Sequence, residues 1–443
     1  MGNKKVTICI IMFLVILVFG IIGPDLSNRD KYRENQYATT TENTEDILTK
    51  QTSEATEVDV VAENTETVEN SETTEVTTEA TSEEVTTELT TEVVDAVPDD
   101  RYILSKDVEK KIDNIIEDMT LEEKVGQIFF IKNDGRFDGG ILKDYPVGGV
   151  ILFKGDFAGK SQEDVKGNIE HLQNNSKIPL LIGIDEEGGT VVRISCYSLL
   201  APYQFRSPRD LYYAGGFGEI TKDTIAKSEL LLSYGINVNF APVCDIPDGT
   251  GDFIYTRSFS EDIGLTEEYV RLMVDTMEDC NIGSVLKHFP GYGNNGDTHN
   301  GVIRDLRPRE EFDEVDMLPF EAGIDSGAWC ILVNHNIVEC MDKEKPASLS
   351  VEVHRLLRED LDFGGVIITD DLMMGGVANL YTKEEAAVEA VLAGNDMILA
   401  TDYQVQYEAV LKAVKSGRIT EEQLEDSIRR ILRWKYSLGI LDI

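Results

Sequence analysis

The chain has 443 residues, with 82 acidic and 41 basic side chains and a formal net charge of −41. A surface this negative repels phosphate backbones and anionic headgroups, which excludes nucleic acid and an anionic membrane surface as partners. The six cysteines form no CxxC pair and no cluster with histidine, so neither a disulfide framework nor a bound metal is expected, and no cofactor motif is present. Cys196, Cys244, Cys280, Cys330 and Cys340 read as buried free thiols.

The first element is an apolar run from Val6 to Ile22, interrupted only by Thr7, with Lys4 and Lys5 before it and Gly23, Pro24 and Asp25 behind. Residues 1–24 therefore read as a signal peptide or a membrane anchor. The 17-residue run, at about 1.5 Å per residue, falls just short of the roughly 30 Å hydrocarbon core, which leaves both readings open. The flanking charges put the amino terminus inside and the bulk of the chain outside, secreted or held at the cell surface. Residues 25–100 are rich in Thr, Glu, Ser and Val and carry 22 acids against 4 bases. This composition predicts a disordered acidic linker that self-repulsion extends into a spacer.

From residue 101 onward, short β-branched apolar runs alternate with amphipathic segments, the pattern of βαβ units in a parallel sheet. Eight runs are expected as strands: Val125 to Ile131, Val147 to Phe153, Leu180 to Ile184, Val238 to Val243, Ser284 to Lys287, Cys330 to Val333, Val366 to Thr369 and Met397 to Ala400. Helix starts are signalled by Thr120 with Glu123, Ser161 with Asp164, Thr266 with Glu268, Thr382 with Glu385, and Thr420 with Gln423. Eight strands in one domain over 101–443 predict an α/β fold, a (β/α)8 TIM-type barrel.

That fold gathers its active site at the carboxyl ends of the strands. Polar residues stand at six such ends: Asp185-Glu186-Glu187, Asp245, Lys287-His288, Asn334-His335, Asp370-Asp371 and Thr401-Asp402. Three segments carry chemistry. Lys287 to Gly293, continuing to Asp297-Thr298-His299, is a glycine-rich loop in which an aspartate two residues before a histidine can orient the imidazole. Gly365 to Leu372 is an apolar strand ending in paired acids, and a carboxylate there can attack an anomeric carbon, while Asp371 can instead cap the next helix. Gly183 to Gly189, leading to Arg193, offers acids and a cation suited to sugar hydroxyls.

These segments, together with Thr120 to Gln127, Thr256-Arg257-Ser258-Phe259 and Lys345 to Ser350, resemble glycoside hydrolase family 3 over essentially 101–443. Within it they resemble the single-barrel β-N-acetylglucosaminidase branch. The resemblance implies Asp370 as nucleophile, His299 as acid/base and Asp297 as its orienting partner. It further implies that Asp185, Arg193, Arg257, Lys287 and His288 bind the terminal sugar. Three positions depart from the family pattern: Thr190 replaces a frequent Arg, Tyr292 a common His, and the catalytic loop is about one residue shorter.

The expected activity is thus that of an exported retaining β-N-acetylhexosaminidase removing terminal N-acetylglucosamine from oligosaccharides or cell-wall fragments. Alternatives on the same fold are a β-glucosidase or xylosidase, an N-acetylglucosaminide phosphorylase, and an inactive wall-glycan-binding protein.

Overall fold

The computed structural model describes residues 100–133 and 140–443. The apolar run at 6–22 and the acidic linker at 25–100, its last residue Asp100 apart, lie outside the described residues. Among those described, no helix is long and apolar enough to cross a membrane.

Among the described residues eleven strands follow in chain order: β1 (Phe129–Lys132), β2 (Gly149–Leu152), β3 (Leu181–Ile184), β4 (Val238–Asn239), β5 (Gly283–Ser284), β6 (Leu286–Phe289), β7 (Arg304–Asp305), β8 (Cys330–Val333), β9 (Ile337–Val338), β10 (Val366–Thr369) and β11 (Ile398–Ala400). Every pairing between them is parallel. A six-stranded sheet runs in the order β11-β1-β2-β3-β4-β5, a three-stranded sheet in the order β10-β8-β6, and β7 pairs with β9. Single parallel bridges join the two larger sheets at both margins, Val243 with Lys287 and Ile368 with Met397.

Helices on the sequence-predicted starts cover the outer faces. Thr120, Ser161 and Thr382 each complete a capping box, with Glu123, Asp164 and Glu385 reaching back to the cap. Thr420 accepts from the Gln423 N–H as expected. Inside, β1 to β3 are close-packed through glycine: a Cβ at Gly183 would stand 2.6 Å from the Phe240 ring and 2.9 Å from that of Phe130. Those rings meet edge to face at 5.4 Å and are almost fully buried.

Five expectations are corrected. Val125 to Gln127 belong to the helix Leu121–Gln127, because the capping box at Thr120 commits the chain to helix until β1 begins at Phe129. The fourth run forms a ladder only at Val238–Asn239; Pro242 has no N–H to donate, and beyond it Val243 makes a lone bridge to Lys287. The fifth run divides at Val285, β5 pairing with β4 and β6 with β8. The helix expected at Thr266 starts a turn earlier, where Asp262 accepts from the Leu265 N–H at 2.8 Å. Of the described cysteines, expected as buried, only Cys244 and Cys330 are; Cys280 is partly buried, and Cys196 and Cys340 are exposed.

Candidate active site

The carboxyl ends of the strands open into a cavity of about 310 Å³. Asp185, Arg193, Arg257, Lys287, His288, His299 and Asp370 all line it, seven of the eight residues singled out from sequence. The eighth, Asp297, stands behind His299. Asp185 follows β3 and Asp370 follows β10 directly. Successive strand residues normally point to opposite faces, yet both Lys287 and His288 face the cavity; the pairing of β6 with β8 shifts register at this point.

The floor is an ion network. The Lys287 ammonium, 2% exposed as a side chain, lies 2.8 Å from Asp185 Oδ1 and 2.6 Å from Glu187 Oε1. Arg193 Nη2 donates to Asp185 Oδ2 at 3.1 Å. Arg257 grips Glu187 with two donors, at 2.7 and 3.1 Å. Burial pushes the Asp185 carboxyl upward, but Lys287 and Arg193 outweigh it and hold the group well below the usual carboxylate range. In Glu187 the same contest, burial against Arg257 and Lys287, brings the pKa down to about 2. Burial also works against the Arg257 charge, yet Glu187 keeps that guanidinium above its ordinary value.

His288 is fixed from both sides. Arg257 Nη2 donates to its Nε2 at 2.9 Å, so the ring proton sits on Nδ1, which donates to Asp245 Oδ2 at 2.7 Å. Asp245 also accepts from the backbone N–H groups of His288 (3.0 Å) and Tyr292 (2.8 Å). One buried carboxylate thus holds the ring and the start of the glycine-rich loop.

Further along that loop, His299 Nδ1 donates to Asp297 Oδ1 at 2.7 Å, and the same oxygen accepts the His299 backbone N–H at 2.9 Å. Nε2 has no partner among the described residues. The loop rests on the turn after β10, where the Gly376 N–H donates to the Thr298 carbonyl at 2.9 Å. A Cβ at Gly376 would come within 2.8 Å of His335 Cβ and 3.3 Å of Thr298 Cβ, so only glycine admits this approach. Tyr292, at the position where family members commonly have a His, is buried, lines the cavity and shares a 2.8 Å hydrogen bond with the Thr298 hydroxyl. Thr190, the other substituted position, is exposed and does not line the cavity.

The Asp370-Asp371 turn is held from beneath. His335 Nε2 donates to the Asp371 carbonyl at 3.0 Å, while its Nδ1 accepts from the Ser348 hydroxyl at 2.7 Å. Burial keeps this imidazole below its ordinary pKa and hence neutral, as the tautomer requires. Asp371 does not cap the next helix, Gly375–Ala378; it accepts from the Met373 N–H at 3.0 Å and from the Thr401 hydroxyl, and burial pushes its carboxyl up.

Glu187, Asp245, Ser348 and Lys132 escaped assignment from sequence. Glu187 lay in the acidic triplet and Asp245 at a named strand end, but their partners are 43 to 100 residues away in the chain, so spacing gave no signal for either role.

The family profile described as "Glycosyl hydrolase family 3 N terminal domain" matches residues 120–434. The chain belongs to glycosyl hydrolase family 3. Within the family it is 33% identical over 276 residues to a beta-hexosaminidase of Xanthomonas campestris, covering 59% of this chain and 82% of that one. It is 32% identical over 326 residues to beta-hexosaminidase A of Pseudoalteromonas piscicida, covering 67% of this chain and 54% of that protein. A family 3 beta-N-acetylglucosaminidase structure from Paenibacillus superposes with a TM-score of 0.67 at 30% identity, over 73% of this chain and 63% of that one. The chain therefore spans little more than half of the Pseudoalteromonas protein.

Proposed function

We propose that this family 3 chain is an exported retaining β-N-acetylhexosaminidase that removes terminal N-acetylglucosamine from oligosaccharides or cell-wall fragments. The observation that carries the reading is the pairing of an Asp370 carboxylate with a His299 whose Nδ1 is engaged by Asp297 and whose Nε2 is unengaged, both lining one cavity. The two edge bridges support a closed (β/α)8 barrel, and the relatives named above support the sugar.

In this mechanism Asp185, Arg193, Arg257, Lys287 and His288 hold the terminal sugar. Asp370 attacks the anomeric carbon while the His299 imidazolium gives its Nε2 proton to the departing glycosidic oxygen. Neutral His299 then takes a proton from water as that water breaks the bond between the sugar and Asp370. Two displacements return the original anomeric configuration. Asp297 keeps the imidazole oriented and stabilises its charged form.

The test is turnover of a fluorogenic N-acetylglucosaminide by the full chain, with Asp370→Asn as control and the matching glucoside and xyloside as comparators. No turnover of any hexosaminide by the unmodified chain overturns the reading. A second reading, phosphorolysis, is favoured by the imidazole base, which does not repel an anionic acceptor as a carboxylate would. Release of free sugar alone at high phosphate removes it. Export rests on the leader and acidic linker, and mass spectrometry of the mature protein decides between a cleaved signal and a retained anchor.

A further inference from the structure

The cations around the cavity are not equally engaged. Arg193 is paired with Asp185, Arg257 with Glu187, and Lys287 with both acids. Lys132, the last residue of β1, also lines the cavity, is only partly exposed, and makes neither an ion pair nor a hydrogen bond with any described residue. Its ammonium stands 4.6 Å from the centre of the Phe153 ring, whose other cationic neighbour is the Arg193 guanidinium at 5.4 Å. The acid its charge acts on is Asp371, but that carboxylate is occupied by Thr401 and the Met373 N–H. Among the described residues this partly buried ammonium has only the Phe153 ring face and an already engaged Asp371 nearby, so its charge is poorly compensated.

Its place in the fold narrows what it would meet. Following the sheet orders and the two bridges, β1 is four strand positions from the β5–β6 strand in either direction. Lys132 therefore lies across the cavity from Lys287, His288 and the loop that carries His299. A leaving group, or an acceptor attacking the anomeric carbon, belongs on the His299 side. What reaches Lys132 is the terminal sugar itself.

We propose that Lys132 is a specificity-determining residue that selects a terminal sugar bearing an acidic substituent, a carboxylate or a phosphoryl group. This inference rests on the glycosidase reading above. Neutral hydroxyls would use the donor capacity of Lys132 but not its charge, whereas an acidic group forms a charge-assisted hydrogen bond beside the Phe153 face.

The experiment compares kcat/KM of the full chain on three fluorogenic glycosides: N-acetylglucosamine, its 6-phosphate, and its 3-O-lactyl ether. The unmodified chain is expected to prefer one acidic glycoside, and which one it prefers places the substituent. Lys132→Met should lower the acidic-to-neutral ratio roughly 10- to 100-fold, the usual worth of a hydrogen bond to a charged group. Lys132→Arg should restore most of it, and added salt should shrink it. No acidic preference in the unmodified chain, or a ratio unmoved by Lys132→Met, overturns the proposal. If none of the glycosides is turned over, the glycosidase reading fails by itself. Calorimetric titration with the free neutral and acidic sugars then still decides the role of Lys132: tighter binding of an acidic sugar, lost in Lys132→Met, upholds it, and equal binding overturns it.

Discussion

Replacing Lys287 with Met tests the electrostatic account of the cavity floor. The substitution keeps a long side chain but removes the ammonium that lies 2.8 Å from Asp185 and 2.6 Å from Glu187. The buried Glu187 and the partly buried Asp185 are left with only Arg193 and Arg257, and breaking a buried pair from one side costs about 3–5 kcal/mol. Linkage gives a comparable figure. Glu187 titrates near 2 in the fold against an ordinary 4.5, burial being outweighed by Arg257 and Lys287, and a depression of that size corresponds to about 3 kcal/mol. A depressed carboxylate stabilises the fold above its unfolded value, near 4.5, and that contribution fades as pH falls toward 2. Lys287 supplies part of it, so the stability gap between Lys287→Met and the unmodified chain should be widest at pH 6–7 and narrow markedly by pH 3. Urea unfolding followed by fluorescence at both pH values measures this. A gap below about 1 kcal/mol, or one equal at both pH values, would refute the reasoning.

Three further outcomes follow from the geometry. His299→Gln should lower kcat on unactivated glycosides roughly 10²- to 10⁴-fold, as expected for loss of a general acid/base, and much less on glycosides with an acidic phenol as leaving group; equal losses on both would remove His299 from acid duty. His335→Phe deletes the bond that holds the Asp371 carbonyl, and Ser348→Ala deletes the one that fixes the His335 tautomer. Both should lower kcat more than they raise KM, with Ser348→Ala the milder, and steady-state kinetics would expose the opposite order. Lys435 is buried against Gln127, and burial brings its pKa down to about 7. Between pH 7 and about 10.5 the unfolded chain then binds more protons than the fold, so stability should rise with pH across that window. Lys435→Met should flatten this rise, and a melting profile in which both proteins slope alike would contradict the assignment.

How far each feature was legible depended on the range of the interaction behind it. Alternating β-branched runs and capping residues are read within a few positions of the chain, and the strands at Leu181–Ile184, Cys330–Val333 and Val366–Thr369 and the caps at Thr120, Ser161 and Thr382 stand where those signals put them. Asp370 was legible for the same reason, as the first polar residue after an apolar strand, and Asp297 and His299 because they are neighbours that bond to each other. The division at Val285 was not legible: which sheet a residue joins depends on Ala241 and β8, far away in the chain, and not on its own side chain.

The sequence by itself determined the alternation of strand and helix, the acidic surface and the residue types gathered at the strand ends. Only the tertiary structure decided which charges compensate one another. Lys287 meets Asp185 across 102 residues, Arg257 meets Glu187 across 70, and Lys132 forms no ion pair among the described residues. Such pairings exist because parallel strands bring their carboxyl ends into one small volume, where loss of water makes the placement of each charge decisive; chain order carries no record of those distances.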